Sequence, residues 1–288
     1  MTGAAGFVLD YVGTQVAVIA DRAQDVVVDA PDSVHRSRVA TRRARSALRT
    51  FAPLFKRRRV RELRDEFAWH ADHLGAPRDA EVLKERLLAA LATLDESDVI
   101  GPVRERLTGA LDATHARAHA SLVDSMATPR YTALRDAMER LVADPPVRDS
   151  AADAPLQLLA DLLDRAVDRV RRLTARAAEL EDDDHRWHEA RKAAKAARYC
   201  SEALVPAFGD PAKALVDAWE AVTEALGEFQ DTVVAEAYLA TDAALARAAG
   251  EPADTYLTLV LLELGLRDEA LARGRAALDR ALELPPMR

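Results

Sequence analysis

V-H-R-S-R-V-A-T-R-R-A-R-S-A-L-R, residues 34–49, and W-H-E-A-R-K-A-A-K-A-A-R-Y-C, residues 187–200, decide the reading of this chain. Aligned, His35 meets His188, Arg38 meets Arg191, Arg42 meets Lys195 and Arg45 meets Arg198, always 153 residues apart. A second pair, L-G-A-P-R-D at 74–79 and L-G-E-F-Q-D at 226–231, keeps nearly the same offset. The chain therefore reads as two copies of one unit, each with a basic helix.

Helix geometry turns each motif into a stripe. With His35 at zero, Arg38, Arg42, Arg45 and Arg49 fall at about 300°, 340°, 280° and 320°, a band roughly 80° wide. Ala40, Ala44, Ala47 and Phe51 take the opposite side, which suits packing on other helices. In the second copy His188, Arg191, Lys195 and Arg198 repeat the stripe, with Lys192 and Tyr199 at its edge. A solvated helix face mixes acids with bases at i, i+4 spacing. The first stripe has no acidic partner, so its mutual repulsion calls for an anion. Ion pairing with acidic helices of the other bundle competes for Arg45 and Arg198.

Composition sets the class. The 288 residues suit one large domain or two ordinary ones, and 49% of them are hydrophobic, enough for a sizeable core. Aromatics are 5%, Ile appears only at 19 and 100, and strong helix formers dominate, so the expected fold is all-α. The net charge of −8 opposes indiscriminate nucleic-acid binding, but the charge is unevenly spread. Residues 33–61 hold eleven Arg or Lys and no acid, while 142–184 run acidic, ending in Glu181-Asp182-Asp183-Asp184. A partner feels that local field. Cys200 is the only cysteine, which fits a reducing compartment. The N-terminal stretch lacks a basic n-region and no run of 18 apolar residues occurs, so a cytoplasmic protein with no membrane partner is expected.

Proline and glycine punctuate the chain. Expected helices run from Phe7 to Asp29, from an N-cap at Asp32 or Ser33 through the first basic stripe, and from Lys56 to His73, closed by Gly75 and Pro77. Others run from Asp79 to Leu94, from Gly101-Pro102 to Met126, and from Pro129 to Leu141. Residues 144–155 read as a linker between a first unit, 1–143, and a second, 156–288. The second unit repeats the plan, with helices over 156–180, 184–204, 212–226, 230–249 and 253–282.

These features resemble the CHAD family, the conserved histidine α-helical domain. The resemblance is carried by the two H-x-x-[RK]-x-x-x-[RK]-x-x-R helices, by an L-G-x-x-x-D some 40 residues after each, and by A-T-P-R-Y at 127–131, similar to the family's S-x-R-[FY] signature. It covers nearly the whole chain, from about residue 5 to 282. It implies two four-helix bundles related by a pseudo-twofold axis, with the basic helices lining a shared positive surface or channel. It also implies binding of inorganic polyphosphate and association with polyphosphate granules. Departures from the pattern are specific. Ala196 stands opposite Arg43, Glu202 opposite Arg49, and Gln230 opposite Arg78, so an asymmetric site is expected, with the first copy giving more charge. The E-x-E-x-K-type signature of the triphosphate-processing domain that some members carry does not occur.

The candidate ligand-binding residues are therefore His35, Arg38, Arg42, Arg43, Arg45, Arg49, His188, Arg191, Lys192, Lys195 and Arg198, with Arg57, Arg78 and Arg130 as outlying candidates. Arginine forks can donate two bonds to one phosphate, and histidine adds charge below about pH 6.5. Asp79 and Asp231 are expected to cap helices or orient arginines. No catalytic residue, metal or cofactor is assigned. His70/His73 and His115/His119 have helical spacing but no Cys and no H-E-x-x-H beside them. Trp69, Trp187 and Trp219 read as packing residues. Two other classes stay open. A metal-dependent enzyme on polyphosphate or a nucleoside triphosphate would need carboxylates such as Glu189 or Asp79, and a nucleic-acid binder would need aromatics among the basic residues.

Overall fold

A computed structural model describes residues 3–179 and 183–287, which leaves Glu181 and Asp182 of the acidic run outside the described residues. Those residues form ten α-helices and no strand. In chain order they are α1 (Ala4–Asp21), α2 (Ala23–Val27), α3 (Ser33–Thr50), α4 (Arg57–Leu91), α5 (Val103–Met126), α6 (Pro129–Ala143), α7 (Gln157–Ala178), α8 (Asp184–Phe208), α9 (Asp210–Ala248) and α10 (Asp254–Glu283). The all-α expectation holds. Thr128 accepts from the Tyr131 N–H at 3.3 Å to start α6, and Asp183 accepts from the Arg186 N–H at 3.1 Å to start α8. Asp32 precedes α3 with φ 63°, and its carboxylate takes Arg36 Nε at 2.6 Å rather than the backbone.

Three boundaries differ from the sequence reading. The first helix stops at Asp21, and a five-residue helix follows it. Residues 56–73 and 79–94 were expected as separate helices, yet α4 runs unbroken for 35 residues through Gly75 and Pro77. Likewise α9 runs for 39 residues through Gly227. A glycine costs a helix about 1 kcal/mol and a proline about 3, but the packing here outweighs both. Leu74 and Phe67 on α4, and Leu226 and Phe229 on α9, are almost wholly buried. The carbonyl of Pro77 accepts from His115 on α5 at 3.1 Å.

The core has two main layers, and each draws on both copies. One joins Val8, Ala44, Leu48 and Phe67 to Leu163, Ala194, Ala197, Trp219 and Leu278. The other joins Leu87, Leu91 and Leu107 to Leu239, Tyr256 and Leu259. Helix α1 is long and apolar enough to cross a membrane by length and composition, but Ala4, Val8, Val12 and Ile19 sit in the first layer. Residues 144–155 are strapped onto the first copy. Lys56 N–H donates to Pro146 at 2.7 Å, Arg148 N–H to Leu54 at 3.0 Å, and Ala151 is buried.

Candidate anion-binding site

Helices α3 and α8 pack directly on each other. The alanines on their inner sides (Ala40, Ala44 and Ala47 on α3, Ala193, Ala194 and Ala197 on α8) join one core and allow a close approach. The stripes then share one cavity of about 380 Å³. Its wall holds His35, Arg38 and Arg42 from α3, His188, Arg191 and Lys195 from α8, Arg78, Asp79 and Arg86 from α4, and Gln230 and Asp231 from α9. Residues related by the 153-residue offset thus line a single space. Six basic side chains there, five of them arginines, face two carboxylates.

The L-G-x-x-x-D motif has a structural reading. A Cβ at Gly75 would lie 3.6 Å from Arg38 Nη2, and one at Gly227 would lie 3.4 Å from Arg191 Nη2. Each glycine therefore gives an arginine of the stripe a flat place to lie. One helical turn on, Asp79 holds Arg38 at 2.9 Å, and Asp231 is the leading attraction acting on Arg191. The aspartates sit inside helices and orient arginines; they cap nothing. Arg42 Nε and Arg191 Nε are buried with no hydrogen-bond partner among the described residues, a state that costs free energy until an acceptor arrives.

Burial and crowding dominate the electrostatics. Lys195 is pushed down to about 6 by burial, then by Arg191, Arg42 and Arg38. Burial lowers His35, with Arg78 adding repulsion, and burial lowers His188. His188 Nδ1 donates to Gln230 Oε1 at 2.6 Å, so Nε2 can donate to an anion only when the ring is protonated. Asp231 is raised by burial against the pull of Arg191.

A second cavity of about 290 Å³ continues past Arg42 and Lys195, which line both. Its wall adds Arg45 and Arg49 from α3, Arg169 from α7, and Glu189 and Lys192 from α8. Lys192 and Glu189 form an ion pair. Burial lowers Arg49, as does repulsion from Arg169, Arg45 and Arg64.

The CHAD domain profile matches residues 10–240. This chain belongs to the CHAD family. It is 35% identical over 269 residues to the uncharacterized protein Rv2226 of Mycobacterium tuberculosis (strain ATCC 25618 / H37Rv), a match covering 90% of this chain and 50% of that one. The same figures hold for the uncharacterized protein MT2285 of strain CDC 1551 / Oshkosh. The chain thus spans about half the length of the curated relatives it matches. Among solved structures, PptA from Streptomyces chartreusis superposes with a TM-score of 0.77 at 25% identity, covering 97% of this chain and 99% of that one. The CHAD domain from the plant Ricinus communis superposes at 0.72 with 24% identity, covering 99% and 94%, a likeness of fold.

Within this CHAD chain the predicted residues separate into groups. His35, Arg38, Arg42, Arg78, His188, Arg191 and Lys195 meet in the first cavity, and Arg45, Arg49 and Lys192 in the second. Arg43 lines neither; its Nε and Nη2 hold Glu202 at 2.8 and 3.0 Å. Arg198 pairs with Glu220 of α9 and with Glu202 of its own helix, the latter at 3.3 Å, so its partners come from its own copy and not from the other bundle. Arg130 forks onto Glu66 at 2.7 and 3.1 Å over the Trp69 ring. Arg57 is exposed at the start of α4 and lines neither cavity. Trp187 and Trp219 are buried in the core, and Trp69 packs against it.

Sequence reasoning missed Arg86 and Arg169. Arg86 lies seven residues after Asp79 on the same helix face, and its charge is met by Glu228 at 2.8 Å and buried Glu263 at 2.6 Å. Arg169 belongs to an i, i+4, i+7, i+11 series with Arg165, Arg172 and Arg176, hidden in a segment read only as acidic.

Proposed function

We propose that this CHAD chain binds inorganic polyphosphate without transforming it, and that this binding places it at polyphosphate granules. One observation carries the reading. Buried guanidinium N–H groups without acceptors among the described residues, Arg42 Nε and Arg191 Nε, share a cavity with a lysine whose pKa is lowered by burial first and then by its arginine neighbours. Such a wall is an unfavourable arrangement that a chain of phosphates relieves, through charge-assisted bonds of about 1.5–3 kcal/mol each. The two carboxylates, Asp79 and Asp231, face arginines, which suits orientation of donors rather than delivery of a metal. Arg42→Glu combined with Lys195→Glu should abolish binding of long-chain polyphosphate, measured by titration calorimetry with circular dichroism as the folding control. Retained affinity in the folded double variant would refute the reading. Metal-dependent release of orthophosphate by the wild type would replace it with an enzymatic one.

A further inference from the structure

The two flanks of the α3–α8 crossing are unlike, although the stripes repeat. On one flank Arg45, Arg49 and Arg169 surround the second cavity, and Ala196 of α8 leaves it room. On the other flank the offset-related positions are occupied differently. Arg43 stands for Ala196 and Glu202 for Arg49. Those two side chains fill the space with their own ion pair, at 2.8 Å. Tyr11 from α1 donates to the same carboxylate at 2.8 Å, and Arg198 approaches it at 3.3 Å. The Glu202 side chain is only 14% exposed. A carboxylate in this place repels phosphate, and the arginine that could have attracted it is spent.

We infer that a bound polyanion leaves the central cavity by one flank only. It runs past Arg42 and Lys195 to Arg45, Arg49 and Arg169, while the Arg43–Glu202 pair plugs the other side. This rests on the proposed polyphosphate reading and adds a direction to it. A short oligophosphate fills the central cavity alone. A longer chain also reaches the arginine flank, because α3 from His35 to Arg49 extends about 21 Å at 1.5 Å per residue. The duplication therefore supplies a central compartment with one extension rather than two.

The test compares tripolyphosphate with a homogeneous chain of about 14 phosphates by titration calorimetry. In Arg49→Ala/Arg169→Ala the long chain should lose about tenfold or more in affinity beyond whatever tripolyphosphate loses. Equal losses for both ligands would overturn the inference. Removing the plug as a pair, Arg43→Ala/Glu202→Ala, avoids leaving a lone buried charge. It should hold or raise long-chain affinity, and a loss as large as that of the arginine-flank variant would overturn the inference by showing that both flanks carry chain. Should the first double variant fail to fold, Arg169→Ala alone gives the same comparison. A wild type that binds neither ligand defeats the polyphosphate reading itself. A wild type that binds both, with equal losses in the variants, defeats only the one-sided path.

Discussion

Lys195 couples ligand binding to proton uptake. In the empty cavity its pKa falls from 10.5 to about 6, through burial and then through Arg191, Arg42 and Arg38, against the raising pull of Asp231. At pH 8 about 1% of molecules therefore carry that charge. A polyphosphate beside the amine favours the ammonium and returns the pKa toward its ordinary value, so binding at pH 8 should take up about one proton. Calorimetry in buffers of different ionisation heat reads that number directly. At pH 5 the lysine is already charged and contributes nothing. The stability consequence has the opposite sense. Between about pH 6 and 10.5 the unfolded chain holds the proton and the empty folded protein does not, so this group's penalty on folding shrinks as pH rises. At pH 7 the penalty is about 5 kcal/mol. Lys195→Met should therefore stabilise the empty protein by an amount on that order, raise its melting temperature, weaken polyphosphate binding and abolish most of the proton uptake. The variant also separates Lys195 from His35 and His188, whose pKa values burial lowers too. Wild-type uptake near zero at pH 8, or undiminished uptake in Lys195→Met, would refute the reasoning.

Two other substitutions probe the frame. Gly227→Val should displace the Arg191 guanidinium, which lies within contact of an ideal Cβ at that position, and weaken polyphosphate binding by about tenfold; unchanged affinity with native helicity would show that Arg191 does not need that seat. His70 is buried, with Nδ1 unpartnered among the described residues and its pKa lowered to about 4 by burial and then by His73. The unfolded state thus binds more protons between about pH 4 and 6.5, and stability drops by up to about 3 kcal/mol as the pH is lowered through that window. His70→Leu should flatten that acid limb in urea titrations, and a limb of unchanged slope would exclude His70 as its source.

The stripes were legible because a 3.6-residue period places His35, Arg38 and Arg42 on one side whatever surrounds them. That the two stripes share one cavity was not legible, since it depends on how α3 and α8 cross. The breaks at Gly75, Pro77 and Gly227 were misread for one reason. Local cost was visible, and the tertiary contacts that exceed it, such as those of Leu74 and Leu226, were not. Arg43 looked equivalent to its neighbours because Glu202, the carboxylate it shares with Arg198, lies 159 residues from it. Its contrast with Arg49 was visible in the alignment, but its position between the two arginines was not. Arg169 carried a periodic signal that the acidic average of its segment concealed.

The undivided core bears on how such a protein can come apart. Both main clusters are shared between the copies: Ala44 and Phe67 are covered by the same one as Ala194 and Trp219, and Leu87 by the same one as Leu239, while only the small cluster of Val26, Val34, Leu74 and Leu122 lies within the first copy. A cut within 144–155 would produce two fragments, each with a bare greasy side shaped for the other, rather than two smaller proteins. The halves are instalments of a single object, each completing the other's inside.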